Sequence, residues 1–454
     1  MADKMADLPP WLSSWDKQQG ISYKTLSNML MEAVTSGYLR PGDKLPPQRK
    51  LAWDLGINLS TVTKALAEVK AKGVIAGEVG RGTYVLDGSI ENDLFLRVST
   101  AGRMIDLSRS VPAQRPNMIL PDLVSSHSLR YLEAYHPKEL VERCKRALKL
   151  WLNYRGLNVC SSDIVPCAGA HAALMAALQT LPSRKPPLLV EEFTFPGMKA
   201  VANAMGFKMV GIKCDSEGLI PHKLEIAAKR GCSALVCVPN YQNPTGTVMS
   251  VPRRNDIKAV VKRHNIMVIE DDVYGPLSGH PPLVAELQTQ AILIGSLSKI
   301  MAPGIRFGFL YHRNAKSDRI PADIHLTSWL TSPLCMEIGI NLIESGMVAE
   351  NVSWQKQEIR ARHELIRGHL TFQPMNYAPH IWIPTPGDAD VISSLCRAQG
   401  VDVASDSLFS VGRMKAQRHF LRVCVTSVPE RSRLSAGMDI LQSVIQDYSR
   451  VLTR

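Results

Sequence analysis

The residues best suited to covalent chemistry lie in Ser296-Leu297-Ser298-Lys299, followed by Pro303-Gly304 and Arg306. They come directly after Ala291-Ile292-Leu293-Ile294-Gly295, an apolar run that reads as a buried strand. Hydroxyls at a strand end and a guanidinium shortly after can hold a phosphate, and a lysine there can carry covalent amine chemistry. Four further segments bear on the same question. Cys167-Ala168-Gly169-Ala170 opens a helical stretch, and its small residues let backbone N–H groups approach a phosphate at the helix's positive end. Asn240-Tyr241-Gln242-Asn243-Pro244-Thr245-Gly246 follows a strand and brings an amide, Asn243, to where it could donate to a ring oxygen. Glu270-Asp271-Asp272-Val273-Tyr274 sets three successive carboxylates after an apolar strand, which is costly unless something cationic faces them. An acid against a protonated ring nitrogen, with the Tyr274 phenol one helical turn along, would account for them. Arg422, inside the apolar Leu421-Arg422-Val423, is suited to clamping a carboxylate. Each segment alone also has a plain reading: a turn, a solvated acidic loop, an edge-strand arginine.

The elements that would position these groups repeat along the chain. Apolar strands are expected over 187–191, 234–239, 267–270 and 291–295, with helical stretches over 170–181, 223–229 and 253–264. Buried strands alternating with helices predict an α/β fold whose mostly parallel sheet is covered on both faces. In such sheets ligands collect beyond the carboxyl ends of the strands, which is where the polar segments fall. At 454 residues the chain has room for two or three domains, and 45% apolar with 21% charged residues excludes global disorder. No apolar run is long enough to span a bilayer, residues 1–19 lack a signal-peptide core, and the nine cysteines include no C-x-x-C pair. The expectation is a soluble cytoplasmic protein without membrane association, disulfide framework or metal.

A net charge of +12 permits a polyanionic partner, and the N-terminal stretch has the layout to use it. Apolar residues recur at helical spacing over 21–34. Leu51, Ala52 and Leu55 mark a shorter second helix that ends at Gly56. Ser60 caps a third, whose apolar face is Val62, Ala65, Leu66 and Val69 and which stops at Gly73. Val74-Ile75 and Thr83-Tyr84-Val85 are short β-like runs around Gly80-Arg81-Gly82. Three helices and a hairpin with a basic tip predict a winged helix-turn-helix whose third helix enters the major groove of double-stranded DNA. Arg49, Ser60, Thr61, Thr63, Lys64 and Arg81 are placed to meet phosphates and base edges. Residues 87–103, with Gly88, Ser89 and Asn92, read as a linker.

The stretches G-Y-L-R-P-G-D-K-L-P-P-Q-R-K-L-A at 37–52, L-S-T-V-T-K-A-L at 59–66 and G-R-G-T-Y-V at 80–85 resemble the DNA-binding domain of the GntR regulators. Pro47 stands where a serine is frequent, and Lys64 where arginine is commoner. The five chemical segments, in their order, resemble the fold type I aminotransferases, which use pyridoxal 5′-phosphate. That resemblance implies a Schiff base on Lys299, Asp271 against the pyridine nitrogen, and Asn243 and Tyr274 against the phenolic oxygen. It implies a phosphate held by Ser296, Ser298, Arg306 and the backbone at Ala168, Gly169 and Ala170, with Phe195 stacked on the ring. Tyr131 would reach the neighbouring subunit's phosphate, and Arg422 would take an α-carboxylate. Three positions depart from the pattern: Phe195 replaces a usual tyrosine, Cys167 a threonine or serine, and His136 a glycine.

Together the halves resemble the MocR subfamily of bacterial regulators. This implies a winged helix-turn-helix over 20–86, a linker over 87–103 and, over 104–454, an aminotransferase-like domain with a smaller C-terminal α+β subdomain. It also implies a transcription factor that senses pyridoxal phosphate, or an amine or amino acid reacting with it. Its state would be a head-to-tail homodimer, each DNA domain packed on the partner. The alternative is an active aminotransferase with an accessory DNA-binding domain, since sensing and turnover need the same lysine, aspartate and phosphate clamp.

Overall fold

The computed structural model describes residues 21–35, 38–39, 43–71, 74–78, 82–85, 104–116, 131–132, 137–181, 186–287, 291–313, 331–372, 374, 376–412 and 418–452. Arg81, His136, the linker expected over 87–103 and the helix stop expected at Gly73 lie outside them. Among the described residues no helix is long and apolar enough to cross a membrane, and no cluster of side chains could hold a metal.

The N-terminal unit runs α1 (Tyr23–Thr35), β1 (Lys44–Leu45), α2 (Gln48–Leu55), α3 (Leu59–Ala71), β2 (Ile75–Glu78) and β3 (Gly82–Val85). Leu26, Leu30 and Ala33 of α1 meet Leu51 and Leu55 of α2 and Val62, Leu66 and Val69 of α3 in one buried core. The 3.6-residue spacing of those apolar positions requires this one-sided burial. Gly56, at φ +66°, ends α2 in the left-handed conformation. The expected hairpin gains a strand, because β1 pairs with β3 to give the order β1-β3-β2. The start of α3 also differs from expectation. Asn58 supplies the carbonyl that accepts from Thr61 N (2.9 Å), so Ser60 lies in the first turn and does not cap it.

The second unit begins with β4 (Ile105–Asp106), followed by α4 (Lys138–Tyr154), β5 (Ile164–Cys167), α5 (Ala170–Gln179), β6 (Leu188–Glu191), α6 (Pro196–Ala204) and β7 (Met209–Ile212). A small hairpin, β8 (Cys214–Asp215) and β9 (Gly218–Leu219), leads to α7 (Pro221–Ala228), β10 (Ala234–Cys237), α8 (Val251–Arg263), β11 (Val268–Asp271) and α9 (Gly275–Ser278). Then come β12 (Ala291–Ser296), β13 (Gly308–Arg313), α10 (Pro333–Glu344) and α11 (Met347–Ile366). Seven strands form one sheet in the order β5-β13-β12-β11-β10-β6-β7, in which β13 alone runs antiparallel to its neighbours. Two apolar cores cover its faces. Every residue of β12 is buried, as a strand with helices on both sides demands, and Ile292→Ala would cost about 2–5 kcal/mol.

The remaining chain, β14 (His380–Thr385), α12 (Ala389–Ala398), β15 (Val401–Asp402), β16 (Ala404–Ser405), β17 (His419–Cys424) and α13 (Arg431–Leu452), is a smaller α+β unit around the antiparallel sheet β14-β17-β16. β4 pairs with β15, so the chain enters the large domain along this smaller unit. The long helix α11 is tied to it by Arg362, which pairs with Glu358 at 2.6 Å and donates to the carbonyls of Val425, Val428 and Pro429.

Candidate functional site

The carboxyl ends of β5, β10, β11 and β12 open onto a cavity of about 320 Å³. Ala170, Phe195, Asn243, Asp271, Tyr274, Ser296, Ser298, Lys299, Arg306 and Arg422 all line it. The fold thus assembles residues that the chain holds far apart.

One wall is built for an anion. Gly169, at φ +88°, turns β5 into α5 and leaves the first N–H groups of that helix without intrahelical partners. A Cβ on Gly169 would sit 2.7 Å from the Arg306 guanidinium, and a Cβ on Gly308 would sit 2.7 Å from the Gly169 backbone. Both glycines are needed for the arginine and the loop to close together. Arg306 is itself left-handed, at φ +50°, and donates to the Ala168 carbonyl (3.2 Å). A non-glycine residue held there is strained backbone retained at a site. Beside it the Ser296 hydroxyl accepts from Ser298 N (3.1 Å) and lies 2.9 Å from the Ser298 hydroxyl.

Lys299 follows in the short turn after β12, and its Nζ donates to the Ser110 carbonyl at 2.6 Å. Burial lowers its pKa to about 8, with Arg422 and Arg306 acting the same way and Asp271 opposing them. An amine so placed is partly neutral near pH 7, as a nucleophile must be.

The acidic run resolves into three separate roles. Glu270 accepts from Leu283 N (3.0 Å) and Val284 N (2.7 Å), and burial holds its carboxyl well above the usual range. Asp272 pairs with Arg155 (3.0 Å), both side chains buried, and accepts from Asn240 Nδ2 (3.1 Å). Asp271 alone lines the cavity, where desolvation pushes its pKa up to about 6, against the Val273 N–H (3.2 Å) and the Lys299 charge. Among the described residues no ion pair satisfies it. The solvated acidic loop is therefore excluded.

Arg422 is buried on β17. It donates through Nη1 to Asn243 Oδ1 (2.8 Å) and through Nη2 to the Ser108 carbonyl, and lies over the Phe409 ring, 4.7 Å from its centroid. Its Nε is buried without a hydrogen-bond partner. The Asn243 amide, held through its oxygen, keeps its N–H groups for another acceptor. The Tyr274 hydroxyl meets that of Ser110, and burial holds its pKa well above the ordinary phenol value. The Phe195 ring occupies the space a Cβ on Gly197 would need, so the ring and the first turn of α6 are fitted to each other. Tyr131 does not line the cavity and packs against the core that contains α4 and α10.

Sequence reasoning missed the stretch around Ser108, Arg109, Ser110 and Val111, which supplies two carbonyls and part of the cavity wall. Backbone acceptors leave no side-chain signature, so only the tertiary structure finds them. It also missed His171, Arg155 and Asn240.

On the N-terminal unit, Arg49, Ser60, Thr63 and Lys64 are exposed and Thr61 is half-buried. Thr63 Oγ1 donates to Gln48 Oε1 (3.0 Å), which joins α3 to the start of α2. Trp53, 76% exposed on α2, is a large apolar surface absent from the sequence reading.

Residues 109–436 match the family described as aminotransferase class I and II, and residues 22–85 match the one described as bacterial regulatory proteins, gntR family. The chain is 28% identical over 452 residues, 97% of each protein, to the uncharacterized HTH-type transcriptional regulator YdeF of Bacillus subtilis. It is 24% identical over 440 residues, 94% of this chain and 99% of the other, to the vitamin B6 salvage pathway transcriptional repressor PtsJ of Salmonella typhimurium. Its fold is similar to that of a Pyrococcus horikoshii kynurenine aminotransferase, with a TM-score of 0.68 at 20% identity, covering 79% of this chain and 96% of that one.

Proposed function

For a chain that belongs to the aminotransferase class I and II family and carries a GntR regulator domain, we propose the function of a pyridoxal-phosphate-dependent transcriptional regulator of the MocR type. Two relatives, one named an HTH-type transcriptional regulator and one named a repressor of the vitamin B6 salvage pathway, align along 97% and 94% of the chain. Our division is a reader over 20–86, a linker over 87–103 and a sensing domain over 104–454, working as a cytoplasmic head-to-tail homodimer on double-stranded DNA. In that dimer each reader packs on the partner, and Tyr131 reaches the partner's phosphate.

The cavity fits the cofactor. A phosphate suits the N–H groups after Gly169, the Ser296 and Ser298 hydroxyls and Arg306. A protonated ring nitrogen suits Asp271, which is desolvated and without an ion pair. Asn243 and Tyr274 suit a phenolic oxygen, and Phe195 an aromatic face. When bound, pyridoxal phosphate supplies an aldehyde that bonds to amines and a ring that withdraws electrons.

The observation that carries the regulatory reading is where Lys299 and Arg422 spend their hydrogen bonds. Both hold the backbone of residues 108–110, the stretch that leads back through 87–103 to the reader. An amino-acid effector that pairs its amine with the site of Lys299, and its carboxylate with Arg422, takes both donors from that backbone. The segment is then free to shift, and the linker passes the shift to the winged helices. The effector moves this equilibrium only by its differential affinity for the two states. An active aminotransferase is the second reading, favoured by the intact Lys299, Asp271 and Arg306 set.

The test is DNA binding to the chain's own promoter region, with and without pyridoxal phosphate, in parent and Lys299→Ala. We expect specific binding that the cofactor alters in the parent alone, and a visible absorption band that Lys299→Ala abolishes. Conversion of amino acids to keto acids at enzyme-like rates, without specific DNA binding, would overturn the regulator in favour of the enzyme.

A further inference from the structure

One titratable side chain at the anion-binding wall has no place in the scheme above. His171 is the second residue of α5 and lines the cavity with Ser298, Lys299 and Arg306. On the premise that this cavity holds the cofactor phosphate, we infer that His171 is a further phosphate-positioning residue that becomes imidazolium on binding. Capture of the phosphorylated cofactor therefore takes up a proton.

The turn before α5, Cys167-Ala168-Gly169-Ala170, offers a phosphate backbone N–H groups and no hydroxyl. The Cys167 thiol donates to the Val165 carbonyl (3.3 Å), so His171 is the first side chain from this turn onward with a donor directed elsewhere. A permanent cation here would oppose the positive end of the helix, whereas a neutral imidazole does not until an anion arrives. The charged groups that line the cavity with it are Arg306 from the turn before β13, Lys299 after β12, Arg109 after β4 and Arg422 on β17, and Asp271 is the one carboxylate among the lining residues. His171 is exposed, yet partial desolvation at the cavity wall and then Arg306 lower its imidazole pKa, which favours the neutral form at pH 7. A phosphate monoester near pH 7 brings a charge of roughly −1.5 to −2 and reverses that local field. An opposite charge at close range raises such a pKa by about 1–3 units. The gain belongs to the phosphate, so it also separates phosphorylated from unphosphorylated vitamers.

Pyridoxine 5′-phosphate tests this, because it carries the phosphate and lacks the aldehyde that Lys299 would engage. The full chain, His171→Gln and His171→Lys are titrated calorimetrically at pH 7 in two buffers of different ionisation enthalpy. The parent is expected to take up roughly 0.8 proton more than His171→Gln and to bind roughly tenfold more tightly, as a rise of about two pKa units through pH 7 gives. His171→Lys is expected to keep the affinity and lose the extra uptake, a pattern that a merely structural role for His171 does not produce. Equal affinity and equal proton uptake in parent and His171→Gln would overturn the inference. A parent that binds no pyridoxine 5′-phosphate and gains no absorption band with pyridoxal phosphate instead overturns the cofactor reading beneath it.

Discussion

The two ends of this chain handle charge in opposite ways. In the large domain, around and behind the cavity, Asp272, Glu270, Arg155, Arg254 and Arg422 are buried and held at hydrogen-bond distance by defined partners. On the reader, Arg49, Lys50 and Lys64 stand in solvent. A buried charge is expensive unless its partners are in place, so its geometry is rigid and its loss affects the whole fold. An exposed charge costs little to hold and little to lose until a polyanion arrives, and then acts through counterion release. The aminotransferase-like half should therefore break cooperatively, and the DNA-binding half by small, salt-dependent steps.

The largest effect tests the first part of that contrast. Arg155 lies between Asp272 and the His280 carbonyl (3.0 Å each). Arg155→Met leaves Asp272, among the described residues, with the Asn240 amide alone and is expected to destabilise the large domain by about 3–5 kcal/mol, measured by chemical denaturation. A loss below 1 kcal/mol would show that water replaces the guanidinium and that the site is less enclosed than its geometry implies. Asp271→Asn is the next step down and should act in two directions. The folded-state pKa of about 6 lies above the ordinary 3.8, so folding favours the protonated acid. The stability this gives is present below pH 4 and lost as pH rises through 6. The cofactor-free Asn variant should therefore gain on the parent between pH 4 and 6, by up to about 3 kcal/mol, and hold that gain above it. Its affinity for pyridoxal phosphate should fall at least tenfold, because the ring nitrogen loses its counter-charge.

The same contrast explains what the sequence made legible. Strands such as β12 and the order of the five polar segments were readable, because burial on both faces writes a continuous apolar run and chemistry needs particular side chains at its end. The acidic run was only partly readable. Three adjacent carboxylates look alike in sequence, and only the sheet's pleat and the neighbours of each strand send Glu270 to two backbone N–H groups, Asp272 to Arg155 and Asp271 to the cavity. The carbonyls of Ser108 and Ser110 were not readable at all. In the reader the apolar spacing located all three helices, but β1 is two residues long and owes its existence to pairing with β3, a non-local cause.

The reader's own charges should show the gentler behaviour. Arg49→Ala or Lys64→Ala is expected to weaken DNA binding roughly tenfold at low salt and to reduce the salt slope by about one if the lost contact is to a phosphate. Thermal stability and the cofactor absorption band should not change. A substitution here that altered the band would show that reader and cavity are coupled tightly enough for an exposed charge to be felt at Lys299.

Ser60→Ala carries the smallest expected effect and decides a point on which sequence and structure part. An N-cap serine that accepts a backbone hydrogen bond is worth about 1 kcal/mol, and the spacing of α3 assigned Ser60 that role. With the helix running Leu59–Ala71 and the Asn58 carbonyl accepting from Thr61 N, the Ser60 hydroxyl is exposed in the first turn. Its removal should change stability by no more than about 0.5 kcal/mol, read by thermal denaturation. Any effect should fall on DNA affinity, since a first-turn hydroxyl faces the end of the helix that enters the groove. A loss near 1 kcal/mol with unchanged DNA affinity would restore Ser60 as the cap and move the start of the recognition helix by two residues, from Leu59 to Thr61.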